Sequence, residues 1–167
     1  MEIVATSIYK RFYRNWILKD FNYTFHNGRV YGIAGSNGSG KSTLLQLLSG
    51  MMSPSKGKIL YKFEGKELEE ELWFSKISYA APYADVYDYM NVKELFHHQH
   101  QFKKFRNSIS CNQFIEICYL EGHEDKLIKY YSSGMKQRLK LAFAILADSK
   151  ALFLDEPITN LDDRAKI

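Results

Sequence analysis

The sequence predicts an α/β domain whose sheet opens with antiparallel strands and later carries an inserted helical segment. Three observations predict it. The first 34 residues read as strands. A glycine-rich turn, "GSNGSG" at 35–40, stands between a short apolar run and a helical pattern. A second apolar run, "ALFLDE" at 151–156, ends on the paired carboxylates Asp155 and Glu156.

The elements follow in order. "EIVATSIY" opens the chain as a strand, and "LKDFNYTF", 18–25, alternates Leu18, Phe21, Tyr23 and Phe25 with polar residues before a turn on Asn27-Gly28. "VYGIA", 30–34, is expected to be a short buried strand, and "KSTLLQLLSG", 41–50, a helix closed by Gly50. "SPSKG" is a turn, "KILY" a strand, and "KELEEELW", 66–73, a short solvated helix. From about 80 to 132 the texture turns helical. "NVKELFHHQHQFKKF" puts Val92, Leu95, Phe96 and Phe102 on one face, and "SCNQFIEICYL" forms a second helix. The sheet resumes with a helix over about 133–147 and the strand bearing Asp155 and Glu156. The expected organisation is a core at 1–79, a helical subdomain at 80–132, and a return to the core at 133–167.

Composition narrows the class. With 167 residues, 46% apolar and 25% charged, the chain suits a soluble globular domain, either undivided or split into two small lobes. Its longest uncharged apolar run, "LAFAILA" at 141–147, is too short to span a bilayer, and "MEIVATSIYKRF" has no signal-peptide core, so a cytoplasmic address is expected. The net charge of +4 permits a nucleic-acid or membrane-surface partner without arguing for either, because no long basic run accompanies it; no nucleic-acid partner is expected. Cys111 and Cys118 lie two helical turns apart, about 10 Å, and read as reduced thiols. The aromatic fraction of 15% fits a stacking platform for bases or A/T-rich codon bias, and the bias is favoured. "HHQH", 97–100, reads as a solvated helix face, because His97 and His100 have no evident third ligand nearby.

"GSNGSGKST", Gly35 to Thr43, matches G-x-x-x-x-G-K-[ST]. Gly35, Gly38 and Gly40 free the backbone to turn successive N–H groups onto an anion, with Ser36, Asn37 and Ser39 between them. The next helix aims its first N–H groups at the same phosphates. Lys41 is expected to reach the β- and γ-phosphates of a nucleotide, and the Ser42 hydroxyl to ligate Mg²⁺. Asp155 is expected to hold that Mg²⁺ through water. Glu156, stopped by Pro157, is expected to orient and deprotonate the attacking water.

On these motifs the chain resembles the nucleotide-binding domain of ATP-binding-cassette (ABC) ATPases along nearly its whole length. The specific element is "YSSGMKQR", 131–138, which looks like the family's signature, with Tyr131, Ser133 and Met135 departing from the common residues. The resemblance implies that Ser132, Ser133, Gly134 and Met135 complete the ATP site of a second such domain, as a homodimer or heterodimer, with Asp162 in "ITNLD" crossing the interface. It implies a transmembrane permease as partner, with the chain peripheral on the inner face of the cell membrane. It also implies an aromatic stacked on adenine, Phe12 or else Tyr13, and a place for the "YADVYDYM" aromatics either against that partner or in the core.

Two departures carry expectations. Where the family has a Gln that senses Mg²⁺ and water, this chain has Pro82, with no side-chain amide and no N–H; water, Tyr83 or Asp85 would have to substitute. The family's switch histidine lies beyond the segment of Asp162, whereas His26, His97, His98, His100 and His123 all precede Glu156. The chain therefore looks shortened, through a partial or decayed gene or deliberate truncation. It is expected to bind ATP, turn it over poorly and leave an open sheet edge. The leading function is the ATPase subunit of an ABC transporter. The alternatives are a nucleotide-binding regulator that hydrolyses little and a soluble ABC-family ATPase acting on nucleic acid.

Overall fold

In the computed structural model, which describes residues 1–82 and 85–159, the chain forms two compact units, Met1–Ile77 and Ser78–Ile167. In the first unit, β1 (Glu2–Phe12) and β2 (Asn15–Phe25) form a long antiparallel hairpin. With β3 (Lys56–Phe63) and β4 (Lys66–Glu67) they make a four-stranded sheet in the order β2-β1-β3-β4. Ile3, Ala5 and Ile8 are all buried, which strict alternation forbids, because 5 and 8 have opposite parity. The register shift between Ala5 and Ile8 reconciles them. Ser7 takes φ 46° at the bulge, and its N–H donates to Asn22 Oδ1 at 2.7 Å.

Helix α1 (Lys41–Leu48) buries Leu44, Leu47 and Leu48. Tyr61 of β3 is buried and donates from its hydroxyl to the Leu48 carbonyl at 3.1 Å. "KELEEELW" is not one solvated helix. Lys66 and Glu67 pair as β4, only Glu70–Trp73 is helical (α2), and the Trp73 ring stacks on Tyr61 at 4.5 Å between centroids, 13° from parallel. Gly50, at φ 74°, lies under that indole, where a Cβ would enter the ring.

Residues 30–34 are not the expected buried strand. No strand is formed there and Val30 is fully exposed. Apolar β-branched residues make a strand only with a neighbour to complete the ladder, and within this unit β2, β1, β3 and β4 pair with one another. Tyr31 instead anchors the segment. Its ring packs edge-on to Phe25 at 5.0 Å, and its hydroxyl accepts from the His26 N–H at 2.8 Å.

In the second unit β5 (Ile77–Ala80) pairs with β6 (Ala151–Leu154), with helices α3 (Val92–Phe102), α4 (Cys111–Ile117) and α5 (Ser133–Leu146) between them in the chain. The core is aromatic. Phe114 is fully buried, with Phe143 at 4.5 Å, Phe96 at 5.3 Å and Phe105 at 5.6 Å. Val92, Leu95 and Phe96 face this core as expected, but Phe102, at the last residue of α3, is 72% exposed and meets the His98 ring instead. His100 stacks near Phe105, and among the described residues no cluster of metal-ligating side chains occurs. Cys118 is buried and unpaired, and desolvation pushes its thiol up to about 12, so it stays protonated at neutral pH. Among the described residues no helix is long and apolar enough to cross a membrane.

Phe114→Ala is expected to lower stability by about 3–5 kcal/mol, and Phe114→Leu by clearly less, since leucine refills part of the void. Urea unfolding followed by the helical circular dichroism signal measures both.

Candidate functional site

The glycine-rich loop, Gly35 to Thr43, lies wholly in the first unit. Gly38 and Gly40 take φ 78° and 95°, the left-handed region that glycine enters without strain. Gly40 is the N-cap of α1, and this helix has neither a side-chain cap nor an acid in its first turn. Its first N–H groups are therefore left to an anion from outside the helix, which is the donor set a phosphate needs. Lys41 Nζ donates to the Gly35 and Ser36 carbonyls, each at 2.9 Å, so the ammonium folds back over the loop. A Cβ on Gly35 would press on Ser39 Oγ, and one on Gly40 would lie 2.7 Å from Ile17 Cγ2. Gly40 thus seats the loop against β2.

That contact locates the aromatic candidates too. Ile17 lies two residues past Asn15, the cross-strand partner of Phe12. Phe12 is 41% exposed with the Lys10 ammonium 5.3 Å from its ring centre, while Tyr13 projects from the turn at φ 53° and is 99% exposed.

The carboxylates lie in the second unit, just past β6. Asp155 is 4% exposed; its N–H donates to the Ala80 carbonyl of β5 at 2.9 Å, and Tyr79 Oη donates to its Oδ2 at 3.4 Å. Glu156 is exposed and takes φ 45°, with Pro157 behind it. Thr159 reaches back to it, N–H to the Glu156 carbonyl at 3.1 Å and Oγ1 to Oε2 at 3.4 Å. Ser42 of the first unit offers a hydroxyl and Asp155 of the second a carboxylate, each a hard oxygen donor of the kind that suits Mg²⁺.

Ser132 is the N-cap of α5, its Oγ accepting from the Met135 N–H at 3.2 Å; Ser132 and Ser133 are exposed, and Gly134 and Met135 half-buried, at the start of that helix. Pro82 offers its carbonyl to Lys140 Nζ at 2.6 Å. Tyr83 and Asp162 lie outside the described residues.

The profile of the ABC transporter family matches residues 18–159. The chain belongs to the ABC transporter family of ATP-binding proteins. It is 34% identical to the ABC transporter ATP-binding protein YybJ of Bacillus subtilis, over 97% of this chain and 74% of YybJ. It is 32% identical to YhcH of the same organism, over 87% of this chain and 48% of that protein, so it spans about half of YhcH. Among solved structures, a dimeric ATP-binding cassette in a post-hydrolysis state with ADP and Pi superimposes with a TM-score of 0.78 at 20% identity, over 97% of this chain and 77% of that one. At that identity the likeness speaks for the fold.

The ABC fold seen here depends on side chains that motif reading passes over. Gln137 is 2% exposed in the second turn of α5 and donates from Nε2 to the Pro157 carbonyl at 3.0 Å, which ties this helix to the turn after Glu156. The only sequence signal was an amide inside an apolar helical repeat. Tyr79 and Thr159, which bond the two carboxylates, gave none.

Gly40→Ala is expected to destabilise the cassette more than Gly38→Ala. Both meet the left-handed penalty of about 1–2 kcal/mol, but only at residue 40 does the new methyl run into a neighbour, whereas at Gly38 it meets nothing within 4 Å. Thermal melting of the two variants side by side measures the gap.

Proposed function

We propose that this chain is the ATP-binding and ATP-hydrolysing part of an ABC transporter, energising transport through a separate transmembrane permease from the cytoplasmic face of the membrane. The observation that carries the reading is the uncapped N-terminus of α1 behind the Gly35–Thr43 loop, with Lys41 folded over it. The glycines leave N–H groups for the phosphates, and Lys41 exchanges its two loop carbonyls for phosphate oxygens. Phe12 or Tyr13 at the hairpin tip supplies a ring for adenine. Ser42 and Asp155 would hold Mg²⁺, which would screen the phosphate charge. Glu156 accepts the proton of the attacking water, and Thr159 limits the positions its carboxylate takes.

In this reading two domains, two copies or a paralogous pair, face each other. Ser132, Ser133, Gly134 and Met135 of one meet the γ-phosphate held by the other, and Asp162 lies at the interface. An exposed serine N-cap at a helix start is the right chemistry for that contact. The division into a core (1–79), a helical subdomain (80–132) and a returning core segment (133–167) belongs to the same reading. One observation favours a second, regulator-like reading: Pro82 has no donor at the strand end beside Asp155. Slow turnover is expected on that account, with binding intact.

Lys41→Ala is expected to abolish ATP binding in calorimetric titration. Glu156→Gln should bind ATP normally and lose hydrolysis by about 100-fold or more. Equal phosphate release by Glu156→Gln and the unmodified chain would leave the regulator reading in possession. Ser132→Asp separates capping from phosphate contact. Aspartate still caps α5, so stability should hold, while ATP-dependent pairing in light scattering should disappear because a carboxylate then faces a phosphate.

A further inference from the structure

One stripe of α5 grips both segments that leave the sheet of the second unit. Lys136 Nζ meets Asp88 Oδ1 at 2.8 Å, Gln137 Nε2 donates to the Pro157 carbonyl at 3.0 Å, and Lys140 Nζ donates to the Pro82 carbonyl at 2.6 Å. Residues 136 and 140 stack on a helix surface, with 137 beside them. Two lysines at that spacing repel each other. The segment after β5 answers with two acids, Asp88 bonded to Lys136 and Asp85 favouring the charged form of Lys140. Lys140 is half-buried, and that burial lowers its pKa. An ammonium in such a place is costly unless its N–H groups find acceptors, and the Pro82 carbonyl is one.

Pro82 itself brings no donor to this place. It lacks an N–H and a polar side chain, so its carbonyl is the one polar atom by which this residue can be held. Two residues earlier, the Ala80 carbonyl accepts the Asp155 N–H at 2.9 Å. The end of β5 therefore positions the backbone of Asp155, and Lys140 positions the end of β5.

We propose that Lys140 is a positioning residue for ATP hydrolysis, holding the Pro82 carbonyl so that Asp155 keeps its place. The donor that this strand end lacks is supplied from the signature helix, so the state of α5 is transmitted to the metal-binding carboxylate through one short hydrogen bond. This rests on the reading of Asp155 as the Mg²⁺ carboxylate of an ATPase.

The test compares the full chain with Lys140→Met and Lys140→Arg. Hydrogen exchange is measured without nucleotide, ATP binding by calorimetry, and hydrolysis in single turnover with protein in excess over ATP and Mg²⁺. For Lys140→Met, faster exchange is expected over 78–88 and 151–157 and unchanged exchange in α4. ATP affinity should stay within about twofold, with a hydrolysis rate roughly 10- to 100-fold lower, the usual loss when a group behind a metal ligand is removed. Lys140→Arg, which keeps a charged donor, should recover most of the rate. Wild-type hydrolysis by Lys140→Met would overturn the proposal. So would exchange that rises equally in α4, a rate and an affinity that fall together, or failure of the arginine to rescue. An unmodified chain that binds ATP and never hydrolyses it overturns the positioning role alone, whereas one that binds no ATP overturns the ATPase reading beneath it.

Discussion

Arg106 donates from Nε to the Ala147 carbonyl at 3.0 Å and from Nη2 to the Ser149 carbonyl at 2.8 Å, and the second unit depends on that fork. A helix ends with carbonyls that have no partner inside it, and a rigid guanidinium satisfies two acceptors in a fixed geometry. Its neighbours join in: the Asp148 N–H donates to the Lys104 carbonyl at 2.8 Å, and Phe105 bridges to Ala147. The residues between α5 and β6 are thereby pinned, and β6 begins at a defined point. Asp155 follows four residues after Ala151, so its depth at the strand end is inherited from where the arginine stops the helix.

From that fixed end, α5 runs back to Ser132 with two kinds of surface. Leu139 and Ala142 enter the aromatic core, while Lys136, Gln137 and Lys140 bond to the turns beyond the strands. Apolar burial holds the helix in the unit but is indifferent to small sliding motions. The polar contacts are directional, so they fix the helix lengthwise. The first unit solves a comparable problem differently. There a bulge at Ser7 changes the parity of β1, which lets one strand bury both Ala5 and Ile8 and still reach the hairpin tip.

Much of this was legible in the residues, for identifiable reasons. The Gly35–Thr43 loop is readable because left-handed backbone selects glycine and the following lysine has a set reach. The position of Asp155 and Glu156 at a strand end is readable because the apolar run stops at these charges and Pro157 follows. Helix starts are also written locally: Asn91 with Glu94 and Ser110 with Gln113 each form a reciprocal cap. What escaped depends on partners distant in sequence. Residues 30–34 have strand composition, but a strand is a relation between segments, and composition says nothing of the neighbour. Phe102 fits the apolar repeat of α3 and yet falls where the helix runs past the core. Trp73 looked like the end of a charged helix until Tyr61 and Gly50 met it. Lys140 is one lysine among many by sequence, and only the fold brings it to the Pro82 carbonyl.

The Tyr61–Trp73 stack has a practical consequence. The chain holds two tryptophans, Trp16 and Trp73, and both fall in the first unit. Indole emission therefore reports on that half alone. Trp73, clamped between a tyrosine ring and a glycine, senses the packing behind α1, and Trp16, edge-on to Tyr9 at 5.8 Å, senses the hairpin tip. The second half has no such chromophore but holds α3, α4 and α5, so a fluorescence trace follows the first half while a helicity trace recorded on the same sample is weighted to the second. Where the two curves separate, the halves come apart independently; where they coincide, the cassette melts as one body.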